Sequence, residues 1–371
     1  MPMDSMYSVI KGLKNDGHRI IGCFPLYPPV ELLHSMGLTP VTLWGLRDLY
    51  RTVTLSDRHL QAYTCSVGRC LTEFVLRHGS EILDGIFMYN ACDTLRNLPE
   101  ILQNGLTEQG DALPLFRLHI PTSPLSRPAD AEYFRGRVRR LIRELEESFG
   151  TPFSIESFTK SVGLYRLQRE LASRLQGLVA AGRISFSEYC RIMSAGTVLP
   201  VERHLEMLQN AGEQHDTARD KGMDLPKIMV SGILPPSLGI TECIEKAGLS
   251  VADNDIAMLK RAYGYTPPSA TSPEDYYTDL YSNHYPCTTI LHTGDARVEV
   301  LWRSVREHDI RGFIFIGEKF CEYEYFETPY LRKVLDGEGV RMLCLDFSLE
   351  DDENNGSYRT RIESFAETLR Q

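Results

Sequence analysis

Two stretches of the chain carry the same chemistry in the same order. They are Asp84-Gly85-Ile86-Phe87-Met88-Tyr89-Asn90-Ala91-Cys92-Asp93 and Arg311-Gly312-Phe313-Ile314-Phe315-Ile316-Gly317-Glu318-Lys319-Phe320-Cys321-Glu322. Each runs from a charged residue and a glycine into a short apolar strand, then to a cysteine and an acid. An uninterrupted apolar strand is one buried on both faces, as in parallel sheets covered by helices. Residues just past the carboxyl ends of such strands face the crevice where open α/β sheets bind ligands. The repeat therefore points to an α/β fold and puts two thiols where chemistry is done.

The elements upstream of each cysteine also repeat. Arg19 to Phe24 predicts a strand, Val30 to Met36 a helix closed by Gly37, and Pro40 to Trp44 the next strand. Lys227 to Val230, the turn Gly232 to Pro236, the helix Cys243 to Ala247 closed by Gly248, and the strand Leu249 to Ala252 restate that order. The expectation is two tandem, doubly wound α/β domains of like topology with mostly parallel sheets, residues 1–129 and 223–371. Residues 130–222 read as a helical connection, with a 3.6-residue period from Glu132 to Leu145 and again from Val162 to Leu175. Pro114, Pro121, Pro124 and Pro128 mark the approach to it. A length of 371 residues suits two cores better than one.

Several function classes drop out. The net charge is −10 and no Lys/Arg cluster offers a track for phosphates, so nucleic acid is not expected as a partner. The basic run Arg135 to Arg140 continues into Glu144, Glu146 and Glu147 and reads as one charged helix face. No apolar run approaches the ~20 residues of a membrane helix. The start Met1-Pro2-Met3-Asp4 has no secretory pattern, so a cytoplasmic location is expected. There is no phosphate loop, no Gly-x-Gly-x-x-Gly, no His-Glu-x-x-His and no Gly-x-Ser-x-Gly, which disfavours dinucleotide enzymes and serine hydrolases. Asn355-Gly356-Ser357 matches a glycosylation sequon, without meaning in a cytosolic chain.

Nine cysteines in a reducing compartment are not a disulfide framework. Cys65 lies between a helical stretch expected from about Asp57 and a second helix, which would put its thiol at a helix N-terminus. Cys190, Cys243 and Cys344 fit core packing, and Cys70 fits packing or a supporting role. Cys23 and Cys287 lie near strand or loop ends. Thiolates are soft donors suited to iron–sulfur clusters, and three from separate loops would hold a cubane by three corners. Without Cys-x-x-Cys spacing, ordinary core packing stands as the alternative. His34, His119 and His292 have no spaced partners and read as structural. Tyr276-Tyr277 and Tyr323, Tyr325 and Phe326 read as packing, and Glu31 opens a helix after Pro28-Pro29.

These residues together carry a resemblance. Pro28-Pro29-Val30-Glu31-Leu32 with Gly37, then Cys65, then Asp84-Gly85 to Ala91-Cys92-Asp93 occur in order. Gly232, Ile244-Glu245-Lys246-Ala247-Gly248, Cys321-Glu322 and Arg359-Thr360-Arg361-Ile362-Glu363-Ser364-Phe365 complete the set. The chain resembles the D-component family of 2-hydroxyacyl-CoA dehydratases, which also includes cluster-bearing subunits of benzoyl-CoA reductase. The resemblance implies a [4Fe–4S] cluster on Cys65, Cys92 and Cys321 at the junction of the two domains, with one iron open to substrate. It also implies a CoA thioester substrate, a homologous second subunit in a hetero- or homodimer, and a separate iron–sulfur activator ATPase. The implied chemistry is one-electron reduction of the thioester carbonyl to a ketyl, which expels the neighbouring hydroxyl or begins ring reduction. Glu31 is the candidate substrate contact or base. Two alternatives accompany this reading. One is a related branch with a double-cubane [8Fe–9S] cluster, for which Cys23 and Cys287 are the further candidate ligands and the short interval from Cys65 to Cys92 an argument against. The other is a subunit that only relays electrons or holds an assembly together.

Overall fold

The computed structural model describes residues 3–49, 52–216, 225–268, 271–290, 296–349 and 355–371. In the first half, α1 (Met3–Asn15) precedes β1 (Arg19–Phe24), α2 (Val30–Ser35), β2 (Leu38–Thr42), α3 (Ser66–Ile82), β3 (Gly85–Tyr89), α4 (Asp93–Glu108) and β4 (Leu115–Leu118). The four strands form a parallel sheet in the order β2-β1-β3-β4. Then come four helices, α5 (Pro128–Phe149), α6 (Ile155–Ala180), α7 (Phe186–Ala195) and α8 (Val201–Asp216). The second half contains β5 (Lys227–Gly232), α9 (Leu238–Lys246), β6 (Ser250–Ile256), α10 (Pro273–Asn283) and α11 (Ala296–His308). It closes with β7 (Gly312–Glu318), α12 (Glu322–Tyr325), α13 (Thr328–Gly337), β8 (Arg341–Phe347) and α14 (Asn355–Arg370). Its sheet is also all parallel, in the order β6-β5-β7-β8.

The two sheets thus share one winding. From the first strand the chain goes outward to its neighbour, then returns to the other side with the third strand. The point of reversal, between β1 and β3 and between β5 and β7, opens a crevice at the carboxyl ends. Every residue of β3 and β7 is buried, as their apolar runs require. Gly37 (φ 73°) and Gly248 (φ 70°) follow α2 and α9 in the left-handed conformation that ends helices, at the same place in each half.

Three differences from the sequence reading have plain causes. β2 starts at Leu38 and contains Pro40, which an edge strand tolerates because one of its sides makes no ladder bonds. β6, expected to end at Ala252, runs on to Ile256 through Asp253-Asn254-Asp255, which are buried because each has a partner. The helical stretch expected from Asp57 is a single turn, Ser56–Arg58. The end of the region read as connector, residues 217–222, and His292 lie outside the described residues.

α5 packs Phe134, Val138, Leu141 and Leu145 into the core of the first sheet. α6 spans both cores: Phe158 and Val162 lie in the first, and Ala172, Leu175, Leu178 and Val179 in the second. At 26 residues it is a strut about 39 Å long. α10 belongs to the second half by sequence, yet Tyr276, Tyr277, Leu280 and Tyr281 sit in the first core. The basic face of α5 meets it, Arg135 pairing with Asp275 at 2.9 Å and Arg139 with Glu274 at 3.4 Å.

Glu31 lies where these pieces meet. It is fully buried on α2 and accepts from the Arg169 guanidinium on α6 and from the hydroxyls of Tyr276 (2.9 Å) and Tyr277 (3.1 Å) on α10. Tyr277 Oη also accepts from the backbone N–H of Leu32 at 2.9 Å. Removing one member of a buried ion pair strands the other charge and costs about 3–5 kcal/mol. Arg169→Met should therefore lower unfolding stability by about that much in denaturant titrations. Lys160→Ala, which breaks the exposed Lys160–Glu156 pair, should change little.

His204 on α8 is fully buried, its Nδ1 2.8 Å from Gln168 Nε2 and its Nε2 3.2 Å from the carbonyl of Ile192. Burial pushes its pKa down to about 4, against a weaker opposite pull from the Ile192 carbonyl. The unfolded chain then binds the proton more readily, so stability is complete above pH ~6.5, falls on acidification and levels below pH ~4. The loss from this group amounts to about 3 kcal/mol. His204→Gln should flatten that part of a stability–pH curve relative to the unaltered protein.

Candidate metal centre

The two crevices open into one pocket. Phe24 at the end of β1, Pro25 just past it and Ile233, after β5, line it together with Trp44, Val67, Ala91 and Leu95. Cys65, Cys92 and Cys321 all line this same pocket, with Thr289, Glu318 and Tyr323. The first half supplies two thiols and the second supplies one. All three are partly buried and none is in a disulfide.

Each cysteine precedes the first residue of a helix. Cys65 is the N-cap of α3, Cys92 of α4 and Cys321 of the one-turn α12. Backbone N–H groups face the sulfurs: that of Gly68 toward Cys65, those of Leu95 and Thr94 toward Cys92, and that of Glu324 toward Cys321. Those contacts favour thiolate, but burial outweighs them. Burial, reinforced by the charge of Glu318, pushes Cys65 up to about 12. Cys92 is raised, chiefly by burial, and Cys321 well above the ordinary thiol value by burial and by Glu324. Such thiols lose their protons when a cation arrives to replace them, as metal sites require.

Among the described residues, no three His, Cys, Asp or Glu side chains converge closely enough to hold a single metal ion. The three sulfurs instead stand around a shared apolar space. Soft donors disposed in that way fit a sulfide-bridged iron cluster rather than a lone hard cation.

The other sequence candidates lie elsewhere. Glu31 is in the α2–α6–α10 junction and does not line the thiol pocket. Cys23 is buried within β1, and burial raises its thiol strongly. Cys70 is buried along α3. His34 is held between Ser161 and Glu202, at 2.8 and 3.0 Å, and His119 lies 3.3 Å from Tyr133 Oη.

Cys287 comes closer. It contacts Thr289 Oγ1 at 3.3 Å, a residue of the pocket wall, and takes hydrogen bonds from Tyr27 Oη (3.2 Å) and Arg261 (3.4 Å). Burial pushes its thiol up, but the Arg261 guanidinium and these hydrogen bonds hold it below the ordinary value. Arg261 and Arg297 both grip Asp255, at 2.9 and 2.7 Å, and hold its carboxyl well below the usual range despite burial. Beside them Glu324 is buried with neither oxygen hydrogen-bonded among the described residues. Burial pushes its carboxyl up to about 8, against the pull of Arg261 and Arg297.

Sequence reasoning missed Glu318, Glu324 and the Asp255–Arg261–Arg297 cluster. One signal was available for Glu318: it is a carboxylate closing an otherwise apolar strand three residues before a cysteine. Its counterpart after β3 is Asn90, whose amide is spent on the backbone of Ile120.

Comparison with known proteins gives the family of the chain. The family described as 2-hydroxyglutaryl-CoA dehydratase, D-component, matches residues 25–369. The chain is 24% identical to the (R)-phenyllactyl-CoA dehydratase beta subunit of Clostridium sporogenes, over 97% of this chain and 94% of the relative. It is 24% identical to the beta subunit of (R)-2-hydroxyglutaryl-CoA dehydratase of Acidaminococcus fermentans, over 96% and 94%. It is 23% identical to one of the subunits of the benzoyl-CoA reductase of Thauera aromatica, over 95% and 91%. With its two like-wound sheets, its thiol-lined pocket and a family match over nearly its whole length, the chain belongs to the 2-hydroxyglutaryl-CoA dehydratase D-component family.

Proposed function

We propose that the chain is the iron–sulfur subunit of a cytoplasmic enzyme that acts on a CoA thioester by one-electron chemistry, dehydrating a 2-hydroxyacyl-CoA or reducing a conjugated acyl-CoA. The observation that carries the reading is the meeting of Cys65, Cys92 and Cys321 in one pocket at the reversal points of both sheets. These are the three thiols that the family resemblance singles out. The relatives are named as dehydratases of phenyllactyl-CoA and 2-hydroxyglutaryl-CoA and as part of a benzoyl-CoA reductase, which supports a thioester substrate and a second, homologous subunit.

A [4Fe–4S] cluster held by the three thiols would supply single electrons at low potential. The chain's own residues supply the setting. Backbone N–H groups at Gly68, Thr94, Leu95 and Glu324 offset the negative charge that thiolate ligands bring. Phe24, Trp44, Leu95 and Ile233 keep water and oxygen from the pocket. α6 and the Glu31–Arg169 pair hold the two halves in register, so that sulfurs from both reach one space. No nucleotide-phosphate loop is present in the sequence, and ATP hydrolysis falls to a separate activator ATPase.

Purified without oxygen after expression with iron–sulfur assembly proteins, the chain should carry about four irons and about four sulfides. Cys92→Ala should lose most of both while keeping its helical circular dichroism. About eight irons would favour the double cubane. A well-folded chain with no iron would remove the cluster reading. Supplied with its second subunit, an activator and ATP, the iron-loaded protein should turn over a 2-hydroxyacyl-CoA or an aromatic acyl-CoA.

A further inference from the structure

Three thiols leave one corner of a cubane without a cysteine, and the same pocket contains one acidic side chain, Glu318. Its place is built. Glu318 ends β7 and is 4% exposed. Its Oε1 accepts both the backbone N–H (3.1 Å) and the hydroxyl of Ser66, the first residue of α3. The Ser66 oxygen in turn accepts the N–H of Leu349 at 2.8 Å, which turns its proton toward Glu318. One carboxylate oxygen is therefore fixed by the residue next to Cys65, and the carboxylate stands on the wall that the thiols share. Its negative charge reaches the Cys65 sulfur. The walls around it are mostly apolar, Phe24, Trp44, Leu95 and Ile233 among them, and no other charged side chain among the described residues lines the pocket. A carboxylate on such a wall gains little from water, and its charge favours a cation in the space it borders.

Resting on the cluster reading above, we propose that Glu318 is the fourth-corner ligand, an oxygen donor to the one iron that no cysteine holds. An oxygen donor is harder than thiolate and makes that iron chemically distinct from the other three. Ser66 sets the orientation of the carboxylate and is a positioning residue. A substrate oxygen reaching that iron would have to displace Glu318.

The test uses the full chain purified without oxygen and read by iron analysis, Mössbauer and EPR spectroscopy, before and after mild ferricyanide oxidation. Wild-type protein should show one distinct iron site and keep it through the oxidation. Glu318→Ala should shed that iron and go from about four irons to about three, with the EPR signal of a three-iron cluster. Glu318→Gln keeps an acceptor for Ser66 and so guards against simple misfolding; it should shift the distinct Mössbauer component while preserving the fold. Ser66→Ala leaves the carboxylate in place and should retain four irons at lower thermal stability. If Glu318→Ala and Glu318→Gln leave both the distinct site and the iron count unchanged, Glu318 only bridges the two halves and the proposal fails, with the cluster reading intact. If the wild-type chain binds no iron, both fall.

Discussion

Glu31 is a carboxylate with no access to water, and the rest of the molecule is arranged around satisfying it. Its partners come from α6 and from α10, so one buried group ties the first sheet to the connecting strut and to a helix contributed by the second half. A buried charge tolerates few geometries, because losing any one partner is expensive. Together with the shared core and the Ser66–Glu318 bond, this junction fixes one relation of the halves, and in that relation the two crevices face a common space.

The thiol pocket depends on this fixed relation, since neither half holds more than two of its sulfurs. Within each half the position of the cysteine follows from simpler causes. A buried parallel strand ends at the crevice, the next helix starts there, and the residue between is an N-cap whose side chain meets free backbone N–H groups. Cys92 and Cys321 occupy that place after β3 and β7. Cys65 reaches the same pocket from the start of α3, on a helix that Glu318 of the other half secures at its first residue.

Much of this is legible in the sequence. Strand ends, glycine caps and the apolar runs of β3 and β7 follow from local rules, and the tandem winding follows from their repetition. The identity of the three cysteines came from the resemblance, since spacing alone left them open to ordinary packing. The parts that could not be read are those settled by distant partners. The strand expected to stop at Ala252 continues through Asp253-Asn254-Asp255, whose polar groups can be buried because Lys260, Gln176, Arg261 and Arg297 pair with them. α10 reads as part of the second half and packs into the first because Tyr276 and Tyr277 have Glu31 to bind. Glu318 looks like an ordinary end to a strand until Ser66, 252 positions away, is seen beside it.

The two sheets have the same strand order, yet their contributions to the pocket are unequal. The strand-end cysteine occurs in both halves, whereas the cysteine before the helix that leads into that strand occurs only in the first. In the second half the stretch before α11 reads Leu291-His292-Thr293-Gly294-Asp295 and contains no sulfur. Two identical halves would have lined the pocket with four thiols in place of three. The halves differ again at the strand end, where the second has Glu318 and the first Asn90, so the pocket has a head and a tail.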